Sequence, residues 1–127
     1  MAKKKETVST LKKKLDKIFS IYIRNRDSDN GLCTCCTCGV VKPIKEMQNG
    51  HYVSRSCLPL RFAENNCHAQ CMPCNIFKKG NMDEYALFMI KTYGDGILEE
   101  LNQKKHQLIK YPINWYREQI EKYKNCL

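Results

Sequence analysis

The sequence predicts an α+β domain: a small β-hairpin core clasped by cysteines, preceded by an amphipathic helix and followed by a helical extension. Three observations predict it. Two Cys-x-x-Cys pairs, Cys35/Cys38 and Cys71/Cys74, stand 32 residues apart. Between them, Val40-Val41 and His51-Tyr52-Val53 have strand composition, with breaks at Pro43 and Asn49-Gly50. Apolar residues recur at helical spacing before Arg26 and after Asp83.

The first helix is expected from Ser9 or Thr10 to about Arg26. Leu11, Leu15, Ile18, Phe19 and Tyr22 form its apolar stripe, and Asp27-Ser28-Asp29-Asn30-Gly31 ends it with turn chemistry. Residues 1–8 read as a disordered basic tail, and residues 54–66 as a loop carrying Arg55 and Arg61. The second cysteine pair leads into a short helical turn from Asn75 to Lys79. A helix capped by Asn81 or Asp83 carries Tyr85, Phe88, Met89 and Tyr93 and stops at Gly94. Another begins near Asp95 with Ile97, Leu98, Leu101 and Leu108, and a third at Pro112 carries Ile113, Tyr116, Ile120 and Tyr123. The expected division is therefore residues 1–8 as tail, 9–94 as helix plus metal-clasped core, and 95–127 as helical extension.

A chain of 127 residues is one domain's worth, and 43% hydrophobic with 28% charged residues is the composition of a soluble globular protein. No apolar run approaches the roughly 18 residues that span a bilayer, so no membrane partner is expected. The lysine-rich start runs into a charged amphipathic stretch and does not read as a signal peptide. A reducing cytoplasm is the expected compartment. There, nine cysteines, an odd number, favour metal over disulfides. Four thiolates in two knuckles suit one tetrahedral, structural Zn²⁺. Cys33/Cys36 offers an overlapping register, but Gly39 follows Cys38, where a knuckle's backbone turns sharply. Cys57, Cys67 and Cys126 read as ordinary thiols.

The net charge of +9 is uneven. Through Arg26, nine Lys/Arg meet Glu6 and Asp16, whereas from Asp83 onward seven basic and seven acidic residues balance. A basic arm beside a metal-clasped centre points to a polyanion, most simply nucleic acid. His51 lies inside the clasped loop, and a neutral imidazole can take a proton from water near physiological pH. A lone histidine is more often structural; its place on a clasped hairpin makes it a candidate base. Asn66 can brace that hairpin through its amide.

Taken together, Gly50-His51-Tyr52, Asn66 and Cys71-x-x-Cys74-Asn75 with Lys78 beyond resemble the HNH or His-Me finger nucleases. The likeness narrows over residues 18–95. Tyr22-Ile23-Arg24-Asn25-Arg26-Asp27, Gly50-His51-Tyr52-Val53-Ser54, Leu60-Arg61-Phe62, Glu64-Asn65-Asn66, His68-x-Gln70-Cys71-x-Pro73-Cys74-Asn75 and Gly80-Asn81 resemble the phage NinG (Rap) recombination family. An asparagine directly after the last cysteine is also similar to phage endonuclease VII. The resemblance implies a treble-clef-like ββα-metal core and cleavage of branched DNA, including four-way junctions, in the host cytoplasm. It implies His51 as general base and Asn75 as a ligand of a single catalytic Mg²⁺ or Mn²⁺, with Asn66 part of the catalytic set. Arg55, Arg61, Lys78 and Lys79 are the candidate phosphate contacts. Many such enzymes carry Asp before the catalytic His as a metal ligand. Gly50 stands there instead, so Gln48, Asn49, Glu64 or His68 would supply the missing donor. His68 fits best, although a hydrogen bond supporting the zinc site is its alternative role. Symmetric resolution of a junction needs two cuts, which suggests a homodimer through residues 95–125. The rival readings are a non-catalytic zinc-stabilised DNA-binding module and an HNH enzyme acting on ordinary duplex.

Overall fold

The computed structural model describes residues 5–127; residues 1–4 of the expected tail lie outside the described part. Helix α1 (Val8–Arg26) starts slightly earlier than expected because Thr7 caps it. The Thr7 hydroxyl accepts from the Thr10 N–H, and the Thr10 hydroxyl accepts from the Thr7 N–H, a reciprocal cap that orders the end of the tail. Leu11, Leu15, Phe19 and Ile23 form its buried stripe.

Two small sheets follow. Strands β1 (Ser28–Asp29), β2 (Leu32–Thr34) and β3 (Val41–Pro43) make an antiparallel sheet in the order β1-β2-β3. Strands β4 (Met47–His51) and β5 (Cys67–Cys71) make the second, with Met47 opposite Cys71 and His51 opposite Cys67. The strand containing His51 thus begins earlier than composition suggested, and His51 is its last residue. Strand β5 is buried at every position. Its polar residues His68 and Gln70 hid it from an apolar reading.

The expected loop between the strands contains a short helix α2 (Leu58–Arg61), whose Leu60 is fully buried. After β5 comes a π-helical turn (Pro73–Phe77), then α3 (Met82–Tyr93), α4 (Ile97–Lys105) and α5 (Ile113–Lys124). Leu108 falls outside α4 and is fully exposed, against the expectation that it joined that helix's apolar side.

Helix α5 packs against α1. Tyr116, Ile120 and Tyr123 share one core with Leu11, Leu15, Phe19 and Ile23, and Phe19 meets Tyr123 edge-on at 5.0 Å. A second core joins Leu60, Tyr85, Met89, Ile97 and Leu101. The apolar faces of α4 and α5 therefore serve the chain's own cores rather than standing free. Among the described residues, no helix is long and apolar enough to cross a membrane.

Segment Tyr22–Asp27 ties α1 to the second sheet. Arg26 donates to the carbonyls of Glu64 (2.8 Å) and Cys67 (2.7 Å), and Asp27 accepts from the Ala69 N–H at 2.9 Å. Tyr22 and Tyr123 hydroxyls each donate to Glu64, at 2.7 and 3.1 Å. These bonds hold β5 and the end of the loop carrying Asn66 against the long helix.

Candidate functional site

Two centres lie at opposite parts of the β4–β5 hairpin: a cysteine cluster at one end and an open cleft along β4.

The sulfurs of Cys35, Cys38, Cys71 and Cys74 all lie within 4.8 Å of one another, and Cys38 and Cys71 are 3.6 Å apart. A tetrahedron with zinc–sulfur bonds of about 2.3 Å needs roughly 3.8 Å between sulfurs, so this cluster can hold a zinc. Gly39 takes φ of +79°, which leaves the knuckle free to turn and lets its N–H donate to the Cys35 carbonyl at 3.0 Å. Cys33 belongs elsewhere, with its thiol directed at the Arg24 carbonyl at 3.1 Å, and Cys36 is outside the cluster. Burial opposes a Cys35 thiolate, yet the Thr37 hydroxyl at 3.4 Å and nearby backbone N–H groups bring its pKa down to about 6. Burial pushes Cys71 up to about 12, and its neighbouring thiols add to the shift. A bound dication reverses that resistance and deprotonates coordinating thiols.

The cleft, about 520 Å³, runs along the free edge of β4. Asp16, Phe19 and Ser20 of α1 line one side; Asn75, Lys79, Gly80 and Met82 line another; Asn49, His51, Tyr52, Ser54, Arg55 and Arg61 complete it. His51 Nε2 lies 2.9 Å from the Arg61 carbonyl. A carbonyl only accepts, so Nε2 carries the proton and Nδ1 keeps its lone pair. Burial pushes the His51 pKa below its ordinary 6.5, outweighing the opposite pull of the Arg61 carbonyl and Asp16. The ring is therefore neutral at pH 7, with one nitrogen fixed as donor.

Asn66 is fully buried and braces the hairpin's outgoing loop. Its Oδ1 accepts from the Val53 N–H at 2.8 Å, and its Nδ2 donates to the carbonyls of Val53 (3.0 Å) and Leu60 (3.1 Å). Asn66 thereby shapes the path that returns Arg61 to His51. Asn75 Nδ2 donates to Gln48 Oε1 at 2.7 Å, which turns its own Oδ1 the other way.

Other expected residues fall differently. Arg61 lines the cleft, but its guanidinium grips Asp16: Nε donates to Oδ1 at 2.9 Å and Nη2 to Oδ2. Arg55, Lys78 and Lys79 are exposed, and Arg55 and Lys79 reach the cleft. Glu64 is held by two tyrosines, as described above. His68, 3% exposed, lies away from the cleft among Tyr85, Phe88 and Tyr93. It joins neither His51 nor the cysteine cluster, because both ring nitrogens are taken by tyrosine hydroxyls, Nδ1 by Tyr85 at 2.9 Å and Nε2 by Tyr93 at 2.6 Å.

Sequence reasoning missed Asp16, Tyr85 and Gln70. Asp16 read as one charge on a basic helix, and Tyr85 as core. Nothing local showed that the first holds Arg61 or that the Tyr85 hydroxyl donates to the Gly50 carbonyl at 2.6 Å.

No solved structure matches the chain. Protein ninG of Salmonella phage P22 is 33% identical over 98 residues, covering 75% of this chain and 46% of that protein. Protein ninG of Escherichia phage lambda gives the same figures, and that of Escherichia phage 933W is 33% identical over 98 residues, 75% of this chain and 47% of that protein. The chain spans about half the length of the curated relatives it matches. Residues 1–127 match the protein family described as Bacteriophage Lambda NinG protein, and the chain belongs to the NinG family.

Proposed function

We propose that the chain is a metal-dependent endonuclease of the HNH, or His-Me finger, type that cuts branched DNA during phage recombination. The observation that carries this reading is the state of His51: neutral, half-buried, oriented through Nε2 by a backbone carbonyl, and set in a cleft beside Asn75, Arg55 and Lys79.

In this reading Nδ1 of His51 removes a proton from water as the water oxygen bonds to phosphorus and the bond to the departing ribose oxygen breaks. The strand end and the Arg61 carbonyl keep the imidazole aimed, so little orientation is left to be fixed on binding. Arg55 and Lys79 hold the flanking phosphates, with Lys78 on the outer rim. Among the oxygen donors on the cleft wall, the amide and carboxylate oxygens of Asn75, Asn49 and Asp16 are a hard set that suits Mg²⁺ or Mn²⁺. Asn49 Oδ1 is buried without a hydrogen-bond partner among the described residues, and Asp16 is engaged by Arg61. Asn75, with Nδ2 committed to Gln48, is the residue best disposed to offer an oxygen. When bound, such an ion would offset charge on the phosphate and the leaving oxygen.

The test compares the parent and His51→Ala on a synthetic four-way junction with Mg²⁺. Cleavage by the parent and none by the variant, at equal zinc content and melting temperature, is the expected result. Undiminished cleavage by His51→Ala removes His51 as base. Junction binding without cleavage in Mg²⁺, Mn²⁺ and Ni²⁺ would make the protein a binding module instead.

A further inference from the structure

The turn that carries Asn75 also displays apolar side chains that the fold does not use. Phe77 is 73% exposed, Ile76 53% and Met72 39%. The chain's other three phenylalanines, Phe19, Phe62 and Phe88, all sit in ring clusters, whereas Phe77 makes no ring contact among the described residues.

Its display is fixed rather than loose. The Lys78 N–H donates to the Pro73 carbonyl at 2.9 Å, the Lys79 N–H to Ile76 at 3.1 Å and the Gly80 N–H to Cys74 at 2.9 Å. Gln70 Nε2 donates to the Gly80 carbonyl at 2.7 Å, and Asn81 Nδ2 points at Cys74 Sγ. Lys79 and Asn81 are held at φ of +50° and +49°, a conformation that non-glycine residues adopt when surrounding structure imposes it. One end of the turn is rooted in the cysteine cluster through Cys74.

The chemistry of this surface selects its occupant. Residues 72–79, Met-Pro-Cys-Asn-Ile-Phe-Lys-Lys, carry two cations and no acid. A ligand that is anionic yet offers apolar faces fits it: a nucleic-acid strand whose bases have left the helical stack. A second copy docked symmetrically by the same face would bring like-charged Lys78 and Lys79 pairs together. We propose that Phe77, with Ile76 beside it, is a stacking platform for unpaired bases where DNA strands diverge, and that Lys78 and Lys79 hold the adjoining phosphates. This rests on the endonuclease reading and deepens it, since it gives the site a reason to prefer branched over continuous duplex. Every base has a π face, so such a contact recognises the branch without reading sequence.

The experiment uses the zinc-loaded full chain in EDTA-free buffer with Ca²⁺ in place of Mg²⁺, so that binding is measured without dependence on turnover. Anisotropy titrations at fixed salt compare parent, Phe77→Ala and Phe77→Trp on a four-way junction and on linear duplex of the same arm sequence. A 2-aminopurine at the branch point reports stacking. Phe77→Ala should lose about tenfold in junction affinity, the effect of one lost base stack, while keeping duplex affinity and leaving the 2-aminopurine unquenched. Phe77→Trp should retain both properties. Equal junction affinity, or equal loss on both DNAs, overturns the platform and leaves the endonuclease reading standing. A dimer in the parent that Phe77→Ala converts to monomer also overturns it, by making the patch a self-interface. If the parent binds neither DNA, both readings fall.

Discussion

A β-carbon placed on Gly50 would lie 2.2 Å from Gln70 Oε1 and 2.9 Å from Gln70 Cβ, so the two residues occupy one space across the β4–β5 ladder. Gln70 is fully buried, and its Nε2 is fixed by Thr37 Oγ1 at 3.1 Å and the Gly80 carbonyl at 2.7 Å. Residue 50 can carry no side chain while Gln70 stays there. This accounts for the bare position before His51, where many of the His-Me finger enzymes that the sequence resembles carry an Asp.

Gly50→Ala should therefore destabilise the fold by about 1–3 kcal/mol, the usual range for overpacking a filled core. Gln70→Gly in the same chain should recover part of that loss by opening the space. Urea denaturation of the two single variants and the double variant gives the coupling directly. Additive effects would mean that the two side-chain positions do not compete.

The clasp was legible because Cys-x-x-Cys twice is a local pattern, and Gly39 behind Cys38 favoured one of the two registers the first half offers. His51, Asn66 and Asn75 were singled out by the family resemblance and by their places around the clasp; in the fold His51 and Asn75 line one cleft and Asn66 braces the loop beside it. The helices were legible from their apolar spacing, and Gly94 stops α3 at φ of +96° as composition implied. What escaped, outside the clasp, was the pairing of side chains distant in sequence. Arg61 looked like a phosphate ligand until the fold brought Asp16 beside it, and His68 looked like a metal donor until Tyr85 and Tyr93 closed around it. Short polar strands also escaped: β5 reads Cys-His-Ala-Gln-Cys, and only the surrounding elements make it interior.

Zinc should follow the register of the cluster. Cys38→Ser and Cys71→Ser should each lower zinc well below one per chain and the melting temperature with it, because structural zinc contributes directly to folding. Cys33→Ser and Cys36→Ser should keep zinc at one per chain, as neither residue belongs to the cluster. Metal analysis of purified variants after brief chelation distinguishes the two groups. Loss of zinc from Cys36→Ser with retention in Cys38→Ser would reverse the register.

Cleavage should depend on pH through His51. Burial moves its pKa below 6.5, and the reaction needs the neutral ring. Activity thus falls tenfold per unit below the depressed pKa and reaches its plateau at a lower pH than an ordinary imidazole would allow. The check is log kcat/KM on a junction substrate with Mg²⁺ from pH 5 to 8. A profile still climbing between pH 7 and 8 would assign the limiting proton to another group.

Acid stability should depend on His68, through a chain of hydrogen bonds whose direction can be deduced. The Tyr85 hydroxyl donates its one proton to the Gly50 carbonyl, so at His68 it accepts, from Nδ1–H. Nε2 is then unprotonated and accepts from the Tyr93 hydroxyl. Protonating Nε2 would break that bond and place a charge on a buried ring among Tyr85, Phe88 and Tyr93. Burial first, and the Arg26 charge second, bring the His68 pKa down to about 4. An unfolded histidine titrates near 6.5, so the unfolded chain takes up this proton first as pH falls. The stabilisation is complete above about pH 6.5 and is lost progressively down to about 4, an order of 3 kcal/mol over that window. His68→Gln, less stable than the parent at pH 7, should lose less stability on acidification, and the gap between the two should narrow steadily from pH 6.5 to 4. Carboxylates and His51 titrate in both proteins, so the difference between their urea midpoints isolates His68. A constant gap across that range would show that His68 binds its proton equally well in the folded and unfolded chain.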